Sequence, residues 1–118
     1  MAFLGLDFFE SKKDRELKDK ALNNLFFPYG DLQHQKIEEI LIALFPSLPK
    51  EESMFNYIVT KQKLMENNCQ DKQELINDLK NRFMTKNTDL SLYIVLAQID
   101  LKIDENLNYP DIETIKSS

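Results

Sequence analysis

Two glycines, one cysteine and one histidine are all that this 118-residue sequence holds of the residue types that announce many sites. Two glycines cannot build a P-loop, a dinucleotide-binding turn or a serine nucleophile elbow, because each needs several glycines where backbone must turn sharply or approach a phosphate. With only four prolines beside them, they are also too few for an all-β domain, which needs a turn signal every 8–12 residues or so. Helices are favoured before any periodicity is read.

The lone Cys69 excludes an intramolecular disulfide framework and suits a reducing compartment, so a cytoplasmic location is expected. As a nucleophile it would need a neighbouring base. His34 is the sole imidazole and nothing in the sequence brings it near, so Cys69 reads as a small side chain in a polar interhelical loop. No apolar run approaches the ~20 residues that span a bilayer. The opening "MAFLGLDFFESKK" lacks a positive leading region and is broken by Asp7, unlike a signal peptide.

An excess of positive charge is also missing. The formal net charge is −5 and the pI about 4.9, which opposes phosphate backbones and anionic lipid, so neither nucleic acid nor membrane is an expected partner. Residues 100–118 hold Asp100, Asp104, Glu105, Asp111 and Glu113 against Lys102 and Lys116, more than half of the net charge.

What is present is a globular balance, 42% hydrophobic and 30% charged, enough apolar surface to offset the entropy of folding one domain of this size. In residues 10–26, Leu17, Ala21 and Leu25 recur at helical spacing, and acid-first i,i+4 pairs such as Asp14–Lys18 support that helix. "FPYG" then stops it, because Pro28 removes a donor and Gly30 permits a positive φ. Asp31 reads as the N-cap of a second helix over about 32–45, with Ile37, Ile40, Leu41 and Leu44 on one face and "FPSLP" as its end.

A third helix is predicted over about 49–66, with Met54, Phe55, Ile58, Met65 and Leu64 as its apolar positions. "NNCQ" breaks the chain, and "DKQE" resembles a capping box opening a fourth helix, which carries Leu75, Leu79 and Phe83 to about residue 85. "LSLYIVLAQIDLKID", residues 90–104, fits two periods. As a helix it aligns Leu92, Leu96, Ile99 and Ile103; as a strand Ile99, Leu101 and Ile103 alternate with Asp100, Lys102 and Asp104. The run exceeds an ordinary strand and the one candidate partner is residues 2–6, so the helix is preferred. The expectation is a single all-α domain over 1–118, a compact four- to five-helix bundle or array, with short terminal strand pairing as the alternative. An apolar segment at 1–9 precedes it, and an acidic, partly frayed tail at 106–118 follows.

Three sites compete. Asp31, His34 and Glu38 share one side of a helix at i, i+3 and i+7, a spacing that suits carboxylate and imidazole metal ligands. There is no second histidine for a paired Glu-x-x-His, and Glu74 or Asp78 would have to complete the set. The simpler reading takes the three as cap, first-turn residue and solvated stripe, and no cofactor is expected. The pair of helices over 49–86 could form a helix-turn-helix with Lys80, Arg82 and Lys86 on its second helix, but the reading end of that helix carries Asp71, Glu74 and Asp78.

The third is an aromatic surface. Phe3, Leu4, Leu6, Phe8 and Phe9 precede the first helix, while Phe26, Phe27 and Tyr29 follow it. Adjacent pairs cannot both lie on one narrow helical face, so they either wedge between helices and close the two ends of the core, the simpler reading for most of them, or remain partly exposed. An apolar patch rimmed by charge marks an interaction site. The expected function is therefore a non-catalytic interaction or regulatory protein using Phe3, Leu4, Leu6, Phe8, Phe9, Phe27 and Tyr29 toward a protein partner or a second copy of itself.

Overall fold

Gly30 takes a φ of 88° immediately before the helix that begins at Asp31. A computed structural model describes residues 23–67 and 71–118. Residues 23–26 are helical, and after them come α1 (Asp31–Leu44), α2 (Lys50–Asn67), α3 (Lys72–Arg82), α4 (Leu90–Leu101) and α5 (Ile112–Lys116). The fold is all-α, and there is no strand among the described residues. The predicted first helix over 10–26 falls mostly outside them, as do residues 1–9 and the "NNCQ" break.

Each boundary has a local cause. The Pro28–Gly30 turn closes with Gly30 N–H donating to the Phe27 carbonyl at 2.9 Å. Gly30, not Asp31, is the N-cap of α1, and Asp31 lies in the first turn, where its charge meets the positive helix end. Phe45 caps the other end by donating its N–H to the Leu41 carbonyl at 2.8 Å, and Pro46 prevents continuation. The Pro49 carbonyl receives the Ser53 N–H as α2 begins. Asp71 caps α3 by accepting from Gln73 N–H at 2.9 Å, and Asp89 caps α4 by accepting from Ser91 N–H at 3.1 Å.

The bundle is assembled around α2 and α4, which pack on each other, with α1 against α2, α3 closing the side of both, and α5 returning across α1 and α4. Leu75, Leu79 and Phe83 are buried on α3 as their spacing predicts, as are Ile37, Leu41 and Leu44 on α1. Tyr93 of α4 gathers the ends of two other helices: Phe45 stacks on its ring at 4.3 Å and Phe83 meets it edge-on at 5.2 Å. Such pairs add about 0.5–1.5 kcal/mol each beyond the area they bury.

Two predicted faces are corrected. On α2 the fully buried positions are Ser53, Asn56, Tyr57, Thr60 and Lys61, while Phe55 and Met65 are exposed and Met54, Ile58 and Leu64 half-buried. The inner face is thus turned about 100° from the one its apolar residues mark, taking 100° per residue. On α4 the buried side is Tyr93, Ile94, Leu96, Ala97 and Asp100, so of the expected stripe Leu96 is buried while Leu92, Ile99 and Ile103 are half-buried. In the tail, Leu107 and Ile115 are buried and the short helix α5 docks on α1 and α4.

Candidate functional site

Asp100 lies one turn after Leu96 and Ala97, on the face that α4 presents to the core, and the surrounding elements deliver a donor to each of its lone-pair directions. Lys61 of α2 places Nζ 2.6 Å from Oδ2, and the Tyr57 hydroxyl, one turn earlier on the same helix, donates to the same oxygen. Gln33 of α1 donates from Nε2 to Oδ1 at 2.9 Å, and the Tyr109 hydroxyl, from the segment between α4 and α5, donates to Oδ1 as well. A carboxylate offers about four such sites, and all four are filled.

The donors are themselves tied down. Lys61 Nζ also donates to the Phe26 carbonyl and lies 5.4 Å from the centre of the Phe27 ring and 6.0 Å from that of Tyr57. Gln33 Oε1 accepts from the Tyr29 N–H at 2.8 Å, so its amide cannot turn over without breaking bonds at both ends. Burial, and then the charge of Asp100, pushes the Tyr57 hydroxyl far above the ordinary tyrosine range. Burial, followed by the hydrogen bond to Asp100, does the same to Tyr109. Both hydroxyls therefore serve as donors at physiological pH and are poor nucleophiles or bases. The network joins α1, α2, α4, the Phe26–Tyr29 corner and the C-terminal segment at one point. Its chemistry is structural: the carboxylate is saturated, and a reacting group or metal ion would have to displace a donor to reach it.

The three sites expected from sequence fare differently. Phe27 is 2% exposed and belongs to the core. Pro28 and Gly30 fold the corner back so that its ring stacks near Tyr57 at 6.4 Å and meets the His34 ring in a T-shape at 4.8 Å. Tyr29 is exposed. Phe3, Leu4, Leu6, Phe8 and Phe9 lie outside the described residues, as does Cys69.

Asp31, His34 and Glu38 are not brought together as a ligand set. His34 packs on Phe27, Glu38 pairs with Lys50 at 3.6 Å, and Asp31 faces solvent. Asp78, one of the acids that would have to complete such a set, is held by Lys63 at 2.7 Å and Arg82 at 3.3 Å, chiefly the Lys63 contact keeping its carboxyl below the usual range. No three His, Cys, Asp or Glu side chains gather at metal-binding distance among the described residues. Lys80, Arg82 and Lys86 are exposed, but Arg82 is engaged by Asp78, so an acid sits inside the basic end of α3.

Surface clefts lie beside several of these residues. One of about 170 Å³ at the start of α1 is lined by Asn23, Asn24, Phe27, Gly30, Asp31 and His34. One of about 370 Å³ runs between α1 and the C-terminal segment past Ile40, Tyr109 and Ile112. Another of about 380 Å³ lies between α2 and α3 over Phe55 and Val59. No helix among the described residues is long and apolar enough to cross a membrane.

No protein family, curated protein or solved structure matches the chain.

Sequence reasoning missed the Asp100 network entirely. Asp100 reads as one acid in an acidic stretch, and Lys61 as one charge on an amphipathic helix. The signal that could have found them is the run Ser53, Asn56, Tyr57, Thr60 and Lys61, which holds the i, i+3, i+4, i+7, i+8 spacing of a core stripe in polar side chains.

Proposed function

We propose that this protein is a non-catalytic interaction protein that engages a protein partner or a second copy of itself through exposed apolar side chains at the corner leading into α1. One observation carries the reading: Leu25, Tyr29 and Leu32, within eight residues of one another in sequence, are exposed by 54%, 43% and 56%, while the chemically richest cluster, around Asp100, is closed and saturated. Isolated exposed apolar residues are ordinary, but a group of them rimmed by polar side chains such as Asn24 and Asp31 is the composition of an interaction patch. Tyr29 has the aromatic body and polar tip favoured at interface anchors.

The test is the double substitution Leu25→Glu with Leu32→Glu, followed by sedimentation velocity and far-UV circular dichroism. Both side chains face solvent, so helicity should be kept while assembly is lost. Unchanged assembly with intact helicity would remove the corner from the interface.

A further inference from the structure

Tyr109 is the one member of the Asp100 network that comes from beyond α4. The segment that carries it differs from the rest of the bundle. It leaves α4 through a tight turn in which Asp104 receives the Asn106 N–H at 2.9 Å on its side chain and the Leu107 N–H at 3.0 Å on its carbonyl. Leu107 closes the turn at a φ of 55°, a left-handed conformation that a leucine adopts only at a cost. Beyond it α5 is five residues long, too short to persist without its docking partners. The described contacts that hold the segment are the buried side chains of Leu107 and Ile115, the half-buried ring of Tyr109 and side chain of Ile112, and the Tyr109 hydroxyl on Asp100.

We infer that residues 103–118 form a strap that opens as a unit from α1 and α4, with the Tyr109–Asp100 hydrogen bond as its latch and the Asp104–Leu107 turn as its hinge. Opening relieves the left-handed leucine, bares the seat of Ile115 and frees one acceptor direction of Asp100 Oδ1, the oxygen that Gln33 continues to hold. It leaves Gln33, Tyr57 and Lys61 in place on that carboxylate, so the rest of the network keeps three of its four donors and the bundle stays folded. The strap is thus a conformational device that connects the buried ion pair to solvent without global unfolding, and the inference goes beyond the surface reading above because it does not depend on the corner.

Hydrogen exchange of the full chain, read by mass spectrometry for the wild type and for Tyr109→Phe, tests this. The bonded amides of Leu107, Ile115 and Ser117 should exchange at least about tenfold faster than those of α2 and α4, as sub-global opening requires. Tyr109→Phe should speed them by a further tenfold or so, the loss of one hydrogen bond to a charged group, with α3 unchanged. Equal protection of strap and α4 in the wild type would overturn the inference. So would a Tyr109→Phe effect spread evenly over every helix.

Discussion

Lys61 Nζ lies 2.6 Å from Asp100 Oδ2 with the two side chains only 2% and 0% exposed, an ion pair shut away from solvent at the centre of a helical bundle. Burying two charges costs several kcal/mol per ion, and the attraction between them offsets this only when the remaining hydrogen-bonding directions are filled. Here they are. The pair therefore fixes which residues meet, more than it adds stability.

Removing one partner leaves the other charged and buried, so Asp100→Ala or Lys61→Met should each destabilise the fold by about 3–5 kcal/mol. Lys61→Met combined with the same Asp100→Ala should cost clearly less than the sum of the two. Urea denaturation of the four proteins in a double-mutant cycle gives the coupling. Additive losses would mean that the two side chains do not act as a pair.

The tyrosines of the network set an alkaline limit. Tyr57 and Tyr109 are held above the ordinary value near 10 in the folded state, chiefly by burial. Their contribution is thus fully present below pH 10 or so, and is lost as pH rises further, because the unfolded chain releases the proton first. The buried Tyr57 alone should give a slope of up to about 1.4 kcal/mol per pH unit above that point, with the half-exposed Tyr109 adding less. Stability of the wild type against Tyr57→Phe, measured from pH 8 to 11 or thereabouts, should converge as pH rises. Parallel curves would contradict the assignment.

Gly30 combines a φ of 88° with a ψ of −160°, a region open essentially to glycine alone, yet beyond its two chain neighbours no described residue comes within 4 Å of where a Cβ would stand. Gly30→Ala should therefore destabilise by about 1–3 kcal/mol through the backbone and not through a clash. A D-alanine introduced there by chemical synthesis should be tolerated. Thermal melts of the two proteins separate the causes.

Ser53 Oγ is buried on the inner face of α2 and has no hydrogen-bond partner among the described residues. Ser53→Ala removes that uncompensated group while keeping the helix propensity high, so it should be neutral or stabilising by up to about 1 kcal/mol. A loss of stability in chemical denaturation would show that the hydroxyl is satisfied in solution.

Much of the fold was legible because its signals are local. Pro28, Gly30, Pro46 and Pro49 punctuate the chain where the helices stop and start, Asp71 begins α3, and Leu75, Leu79 and Phe83 declare their own face. The network was not legible, because its meaning lies in pairs 39 and 67 residues apart. A buried Asp100 contradicts the pattern of its neighbours until Lys61 and Gln33 are placed beside it. The same applies to α2, whose period is correct but is written in polar residues, so reading the apolar ones selects the wrong side. For the tail, acidity suggested solvent, but Asp104, Glu105, Asp111 and Glu113 all point outward while Leu107 and Ile115 anchor the segment from within.

The proposed binding through the exposed corner is tested by native mass spectrometry of the full chain gently purified from its own cells. The expected mass includes a second copy or a partner chain and falls to that of the bare chain in Leu25→Glu with Leu32→Glu. A monomer at every concentration, with no chain retained, would contradict it.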